Sequence, residues 1–457
     1  MKERSSGSEL FGTESIGKVL LKIAPPVMLA QLIQALYNIV DSFFVGKYSD
    51  DALTAITVIY PLQLIIIAVA VGTGVGVNTY MARKYALGEP ETANATAGTG
   101  TVLALVSWAV FALISFFIMP AYVKTSASEA QAIGQAVTYG RIVCVGSIGT
   151  FLEGNWSKVH QARGNMKLPM IAQVAGALTN IILDPILIFG LGPIPEMGVA
   201  GAAYATVAGQ VISAVITGIR GFSRPPALSR MLKLAGQIYR CGYSSILMQA
   251  LYTVYIVMLN MILSGFSDAA VTVLGLYYKL QSFFFIPLFG LQTCIVPVLS
   301  YNCAKKAYRR CRETMRDSFI ISLVFMLLGT VCFLFIPETL IRLFSNSAEV
   351  IKDGVAAFPI IGCSFFAAVF SLIMPTFFQA IGKGLQSLLL SLTRQIFALV
   401  PVFWLLSKIG LNYAWIAFPV AEVTAGTIGM ILYIRQLRKW KREEEAAAPP
   451  SPSASAQ

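Results

Sequence analysis

Long apolar stretches recur along the whole chain, and only short polar segments separate them. Each stretch has about 20 residues, the length that a helix needs to cross a bilayer at a rise of about 1.5 Å per residue. We count twelve stretches, with centres near Leu29, Ile66, Val110, Cys144, Val174, Ala208, Tyr255, Phe285, Val324, Cys363, Phe397 and Ile428. The pattern predicts an all-α polytopic membrane protein with twelve transmembrane helices.

The two halves of the chain repeat each other. Gln34-Ala35-Leu36-Tyr37 recurs as Gln249-Ala250-Leu251-Tyr252, an offset of 215 residues. Gln161-Ala162-x-Gly164 recurs as Gln379-Ala380-x-Gly382, an offset of 218 residues. Because each copy holds an even number of spans, the two copies have parallel topology, as in transporters that bind solute between two six-helix halves. The repeat therefore predicts two six-helix lobes with a solute site between them.

The repeat and the polar segments also predict where the domains begin and end. We expect an N-terminal segment at 1–15, a first lobe at 16–222, a linker at 223–232, a second lobe at 233–438 and a disordered tail at 439–457.

Composition supports a lipid environment and argues against a soluble fold. Only 12% of the residues are charged, against about 25% in soluble domains. The net charge of +12 lies almost entirely on one set of loops and chain ends. The opposite loops hold only Lys47, Lys124, Arg342, Lys352 and Lys408. By the positive-inside rule, both termini are cytoplasmic in a multi-pass protein of the inner membrane, and the basic charge indicates topology rather than nucleic-acid binding. We expect a monomer.

Two acids fall inside predicted spans of the first lobe. Asp41 lies about 7.5 Å and Asp184 about 9 Å below the outer ends of their helices. Tyr37 precedes Asp41 by four residues and Asn180 precedes Asp184 by four, so each lies one turn deeper on the same face. Acids inside a membrane are costly, and they indicate a functional site. The alternative is that each acid only caps a kinked helix or pairs with a nearby cation.

Other polar groups converge at the same depth. Pro185 has no N–H for the carbonyl of Ile181, which frees that oxygen, and Thr206 lies at a similar level in the next span. Carboxylate, amide, hydroxyl and carbonyl oxygens suit a proton or a sodium ion. We therefore predict a coupling site for H⁺ or Na⁺, with sodium bound at Asp41, Asn180 and Asp184 if it is the ion, and no organic cofactor.

Further polar residues inside spans are candidates for the solute cavity. Lys279 is expected to be a buried cation that pairs with an acid or lines the cavity. Glu422 either faces the cavity or pairs with Arg394 or Lys279, and Arg141 either reaches the interface or pairs with Glu153. The candidates for the cavity are Gln34, Gln249, Lys279, Gln281, Arg394 and Glu422.

Two local sequence features are interpreted from the segments in which they lie. Gly72-x-Gly74-x-Gly76 resembles a phosphate loop, but it lies inside an apolar span, where close helix packing is the expected reason for small residues. His160 is the only histidine, and we expect it to be solvated in a loop.

A membrane-embedded hydrolase would need a nucleophile or a metal cluster in the bilayer, and no such arrangement is visible, so the chain is not expected to be an enzyme.

These residues resemble the multidrug and toxic compound extrusion (MATE) family over nearly the whole chain, and the DinF-like branch most closely. The strongest matching segments are 37–46, Asn180-Ile181-Ile182-Leu183-Asp184-Pro185 and Gly198-Val199-Ala200-Gly201-Ala202-Ala203. The resemblance implies a V-shaped fold of two lobes, and secondary active export of organic, often cationic, compounds against inward proton or sodium flow. It also maps the family's ion site onto Asp41, Asn180, Asp184 and Thr206, with Tyr37 and Tyr139 nearby.

The substrates expected for this chain are small cationic or neutral amphipathic compounds, and access to their site would alternate between the two lobes. The alternative is a flippase for lipid-linked precursors from the same broad superfamily. Such a flippase often has a strongly cationic cavity, whereas the two acids of the first lobe favour cationic or neutral solutes.

Overall fold

The structure, a computed structural model, describes residues 6–124, 130–191, 193–345 and 347–447. Helices account for nearly all of this part of the chain, and no β-strand occurs in it. The predicted all-α class is confirmed.

A short helix α1, Ser6–Thr13, precedes the first lobe. The helices of the first lobe are α2 Ile16–Tyr48, α3 Asp50–Ala86, α4 Pro90–Lys124, α5 Ala130–Gly146, α6 Ile148–Ala162, α7 Lys167–Phe189 and α8 Gly198–Gly218.

The second lobe begins with α9, and a π-helical segment, Thr393–Leu399, joins α16 to α17 within it. Its α-helices are α9 Leu228–Leu263, α10 Asp268–Phe284, α11 Ile286–Ala304, α12 Tyr308–Phe335, α13 Pro337–Arg342, α14 Ala348–Gly362, α15 Phe365–Ala380, α16 Gly384–Leu392, α17 Val400–Ser407, α18 Leu411–Ala414 and α19 Ala417–Ala447.

All twelve predicted spans coincide with helices or helix pairs of this order, and the eighth, with its centre at Phe285, covers the break between α10 and α11. Within the described ranges, ten helical stretches are long and apolar enough to cross a membrane, and α14 with α15, bent by 58°, forms an eleventh. The remaining predicted span is the pair α5 and α6, interrupted at Ser147. Each of these two helices is shorter than the roughly 20 residues of an uninterrupted span.

The repeat extends to local backbone geometry. Ser49 and Ser267, 218 positions apart, both have an extended backbone and cap the next helix, with Oγ accepting from the N–H of Ala52 at 3.0 Å and of Ala270 at 3.1 Å. Gly164 and Gly382, again 218 positions apart, both have positive φ, at 79° and 84°. Glycine adopts this conformation without the penalty of a Cβ. Equivalent helices therefore begin and end through the same sequence signals in both lobes.

The structure corrects two predicted boundaries. The connection between the lobes runs over 219–227 rather than 223–232, because α9 begins at Leu228. The predicted disordered tail is helical from 439 to 447, since α19 continues to Ala447. One ion pair and one hydrogen bond support this extension: Arg312 Nη1 lies 3.1 Å from Glu444 Oε2, and the Tyr308 hydroxyl donates to Glu443 Oε2 at 2.5 Å. Residues 448–457 lie outside the described part of the chain.

The lobes contact each other closely at the end that carries Arg83 and Arg310, which we call the basic end. A Cβ on Gly72 would lie 2.4 Å from Ile246 Cγ1, and one on Gly76 would lie 2.2 Å from the Ile238 oxygen. Both partners belong to α9 of the other lobe. The glycines of this segment therefore serve close helix packing, as expected, and no side chain fits in their place.

Hydrogen bonds join the lobes at the same end. Arg83 Nη2 donates to the Ala380 carbonyl at 2.9 Å. Asn302 Nδ2 donates to the Phe11 carbonyl at 2.9 Å, which fixes α1 against the second lobe. Toward the opposite end, the first lobe has a separate hydrophobic core. All of its side chains, among them Val45 and Ile59, belong to that lobe. The lobes are thus joined at the basic end and keep separate cores toward the other.

Candidate functional site

The two acids of the first lobe meet in the protein interior. Asp41 on α2 is 8% exposed and Asp184 on α7 is fully buried. Their carboxyl groups lie within hydrogen-bonding reach of each other. The Oδ1 atom of Asp41 has no hydrogen-bond partner among the described residues. Two adjacent carboxyls removed from water rarely both stay ionised without a counter-ion, so the pair has a strong demand for a proton or another cation.

Asn180 connects this pair to the next helix. When its amide is oriented so that both polar atoms are satisfied, Nδ2 donates to Asp184 Oδ2 at 2.9 Å. The amide oxygen then accepts from the backbone N–H of Thr206 on α8 at 3.1 Å. The Asn180 side chain is 2% exposed and that of Thr206 is 4% exposed. The amide thus holds the Asp184 carboxyl in one orientation between α7 and α8.

Two tyrosines complete the group. The Tyr37 hydroxyl lies within hydrogen-bonding reach of Thr206, and so does that of Tyr139 on α5. Gln63 on α3 donates to the Tyr139 hydroxyl at 3.4 Å. The structure therefore brings together all six residues predicted for the ion site, and it adds Gln63, which the sequence analysis did not single out.

A separate cavity of about 490 Å³ lies between the lobes. Eight glutamines line it, three from the first lobe and five from the second. Its charged lining residues are Glu153, Lys158 and Arg394. Neither Asp41 nor Asp184 is among the lining residues. The ion-site group and the cavity are therefore distinct places in the molecule.

The candidates for the solute cavity divide into two sets. Gln249, Gln281 and Arg394 line the cavity, whereas Gln34, Lys279 and Glu422 are not among its lining residues. Gln34 and Lys279 are exposed. The expectation that Lys279 is a buried cation is wrong, because its position on α10 turns the side chain away from the packed interior.

Glu422 pairs with Arg394 rather than with Lys279. Arg394 Nε lies 2.9 Å from Glu422 Oε1, and both side chains are largely buried, at 12% and 7% exposure. Ser371 on α15 donates its hydroxyl to Glu422 Oε2. Arg394 lies in the π-helical segment, an irregularity that widens the turn and is frequent at functional sites. The ion pair holds the Arg394 side chain at the cavity wall.

One expectation for a single residue is wrong, and one of two alternatives for another does not occur. His160 is not a solvated loop residue, since it lies in α6, is 3% exposed, and has Nε2 at 2.9 Å from the Thr217 carbonyl oxygen. Of the two alternatives for Arg141, pairing with Glu153 does not occur: the Arg141 guanidinium lies 4.8 Å from the centroid of the Phe116 ring instead. Glu153 instead accepts from the Ser157 hydroxyl at 2.5 Å. Both corrections depend on how α5 and α6 are rotated, which the hydrophobic pattern leaves open.

Comparison with known proteins agrees with this architecture. The MatE family model matches residues 26–186 and again residues 244–404. The FAD transporter of Shewanella oneidensis is 25% identical over 90% of this chain and 93% of its own. The probable multidrug resistance protein NorM of Thermotoga maritima is 24% identical over 93% of this chain and 94% of its own.

Solved structures are similar to the whole fold. An outward-facing multidrug resistance MATE family transporter of the MOP superfamily superposes with a TM-score of 0.89 at 22% identity, covering 95% of this chain and 99% of that one. The two matches to the family model, one in each lobe and 218 residues apart, coincide with the internal repeat. The chain belongs to the MATE family of membrane transporters.

Proposed function

We propose that the chain is a secondary active efflux transporter, not an enzyme, that exports small organic compounds in exchange for protons or sodium ions. The observation that carries this proposal is the buried group around Asp41 and Asp184, which requires a cation and lies apart from the solute cavity. Separate sites for ion and solute allow each to favour a different arrangement of the lobes. A ligand shifts a conformational equilibrium only through its different affinities for the two states.

The available energy is sufficient for concentrative export. One monovalent ion crossing about 150 mV releases roughly 3.5 kcal/mol, at about 2.3 kcal/mol per 100 mV. At about 1.4 kcal/mol per factor of ten, this supports a solute gradient of a few hundred-fold. No organic cofactor enters this scheme, and the transporting unit is a monomer in a lipid bilayer.

Access to the cavity alternates between the two sides of the membrane in this proposal. The glycine contacts between α3 and α9 and the hydrogen bond from Arg83 to Ala380 close the basic end. With the basic end in the cytoplasm of the cell, this arrangement is the outward-facing one. Inward opening then requires that these contacts separate while the lobes rock.

The substrates that we propose are cationic or neutral amphipathic compounds, and the cavity lining favours the neutral ones. Asp41 and Asp184, the acids of the ion site, do not line the cavity, and the three charged residues that do are two basic residues and one acid. A flippase for lipid-linked diphosphates would need a more strongly cationic lining than this cavity has. Relatives named for FAD and for multidrug export suggest that the lining, rather than family membership, decides the substrate.

Transport by the purified protein in liposomes tests the function. Accumulation of a fluorescent organic cation and of a fluorescent neutral amphipath is measured under a pH gradient, under a sodium gradient, and under neither. We expect accumulation under one of the two ion gradients and none in its absence. Equal transport under all three conditions would refute the coupled mechanism.

Thiol labelling tests the orientation, with both termini in the cytoplasm. Pro193 and Ser229 are exposed at opposite ends of the molecule. In a cysteine-free background, Pro193→Cys is expected to react with an impermeant thiol reagent applied to intact cells, and Ser229→Cys only after the membrane is opened. The reverse pattern of labelling would invert the proposed topology.

A further inference from the structure

A second pocket, of about 330 Å³, lies at the basic end of the molecule. The described residues that line it include three basic ones, Lys22, Arg163 and Lys167, and no acid. Its apolar lining residues are Leu10, Ile23 and Met166, and only Met166 also lines the solute cavity. A concave site with charges of one sign attracts ligands of the opposite sign. This pocket therefore favours an anion.

The positive charge of Arg163 has no counter-ion. The residue is only 8% exposed, and among the described residues no carboxylate forms an ion pair with it. Its guanidinium donates only to uncharged groups, namely the hydroxyls of Tyr85 and Ser223, the carbonyl of Arg220 and the amide oxygen of Asn94. Buried charges in proteins are normally paired with an opposite charge, and an anion in the pocket would balance this one.

The two lysines of the pocket are available to a ligand. Lys167 is exposed and, within the described ranges, takes part in no ion pair. Lys22 Nζ lies 3.6 Å from Glu14 Oε1, but the two side chains are 59% and 42% exposed. Exposed pairs of this kind contribute little energy, so Glu14 does not prevent Lys22 from binding another anion. Even with that pair counted as neutral, Arg163 and Lys167 leave two positive charges at the pocket.

The pocket lies across the boundary between the lobes. Leu10 belongs to α1, which is held on the second lobe because the neighbouring Phe11 carbonyl accepts from Asn302 Nδ2 and from Arg310 Nη2, both at 2.9 Å. The segment 163–167 on the other side belongs to the first lobe. A ligand in this pocket therefore contacts both sides of the closed end.

An exposed apolar face of α7 begins at the pocket. Lys167, Ile171, Leu178 and Ile182 lie within about 60° of one another around the helix, at about 100° per residue, and the three apolar side chains are each about half exposed. The α7 residues that line the solute cavity lie on another face. Acyl chains can cover this apolar face while a phosphate reaches Lys167, whereas a free phosphate makes no use of it. Basic pockets at the ends of membrane helices are typical sites for anionic headgroups.

We propose that this pocket binds the phosphate of an anionic phospholipid from the leaflet at the basic end, with its acyl chains along the exposed face of α7. The bound headgroup joins α1 to the segment 163–167 of the first lobe. Because these contacts cross the boundary between the lobes, the lipid stabilises the closed arrangement of this end over one in which the lobes separate. The binding itself does not depend on the proposed export function.

Lipid binding to the purified full-length protein in a non-ionic detergent tests the proposal. Native mass spectrometry measures the affinities for dioleoylphosphatidylglycerol and for dioleoylphosphatidylcholine, which has the same chains and no net charge. We expect phosphatidylglycerol to bind at least about fivefold more tightly, since one basic group near a membrane surface contributes about that factor. Equal affinities would overturn the proposal. Displacement of phosphatidylglycerol by an equal concentration of inorganic phosphate would also overturn it, because the ligand would then be free phosphate.

Variants of the exposed lysines locate the site without disturbing the hydrogen bonds of Arg163. Lys22→Gln with Lys167→Gln is expected to lower the affinity for phosphatidylglycerol about 5- to 25-fold and to leave that for phosphatidylcholine unchanged. Lys233→Gln with Lys305→Gln is the matched control, since both lysines are exposed and neither lines the pocket. This control should change the affinity by less than about twofold, because distant surface charges are screened by salt. Equal losses in both double variants would contradict the assignment.

Hydrogen exchange tests whether the lipid joins the two sides of the boundary. Phosphatidylglycerol, compared with phosphatidylcholine, should slow exchange of backbone amides both in 8–14 and in 163–168, since local opening of either segment then breaks contacts with the headgroup. The double variant of Lys22 and Lys167 should lose this protection. Protection of only one segment, or of neither, would refute the bridging role.

Discussion

Substitution of Asp41 or Asp184 by asparagine is expected to abolish gradient-driven export at matched protein density in liposomes. Each replacement keeps the shape of the side chain and removes the carboxyl that takes up a proton or ligates sodium. Without ion binding, nothing couples the ion gradient to the arrangement of the lobes. The protein should remain folded, because removal of a buried charge that lacks a fixed partner costs little stability.

A control variant separates this effect from a general loss of acid side chains. Asp268 is exposed at the start of α10, so Asp268→Asn should transport like the wild-type protein. Asn180→Ala should be intermediate, since it removes one hydrogen bond to Asp184, about 1–2 kcal/mol, and raises the required ion concentration about 5- to 30-fold. Full export by either Asp→Asn variant would place the coupling site elsewhere in the molecule.

The second large effect concerns the ion pair between Arg394 and Glu422. Replacement of either residue alone by leucine is expected to lower the free energy of unfolding by about 3–5 kcal/mol, because the remaining charge stays buried without its partner. Replacement of both should be close to neutral, since two apolar side chains need no hydration. The measurement is the unfolding midpoint of each purified variant in the same detergent, followed through intrinsic fluorescence.

A surface pair provides the comparison. Arg342 Nη2 lies 2.7 Å from Glu338 Oε1, but both side chains are more than half exposed. Arg342→Leu should therefore change stability by less than about 1 kcal/mol. If Arg394→Leu were no more destabilising than Arg342→Leu, the buried pair would not have the structural role that its geometry indicates.

The number and order of the helices could be predicted, because the hydropathy pattern and the internal repeat can both be read directly along the sequence. The similar depth of Asp41 and Asp184 could also be expected, since helix rise alone places both at the same level. The close packing at Gly72 and Gly76 followed from small residues inside an apolar span. These inferences require only the position of each residue along its helix axis.

Rotation about the helix axis was the property that the sequence left open. Lys279 is exposed, and His160 is buried, because of the face on which each lies, and helices surrounded by lipid and protein show no clear apolar face to reveal it. The pairing of Arg394 with Glu422 joins residues on different helices and depends on the π-helical segment. Asn78, Gln379 and Gln395 line the cavity and lie in apolar runs, where only the tertiary structure separates cavity residues from packed ones. One signal was visible: Gln379 belongs to the repeated Gln-Ala-x-Gly segment.

The most direct test of the central claim is to impose a solute gradient in place of an ion gradient. Liposomes that contain the purified protein are loaded with a transported fluorescent solute, and proton and sodium movements are recorded as the solute leaves. The account predicts that solute efflux drives one of these ions in the opposite direction, and that Asp184→Asn abolishes this ion movement. Solute efflux through the wild-type protein with no movement of either ion would contradict it.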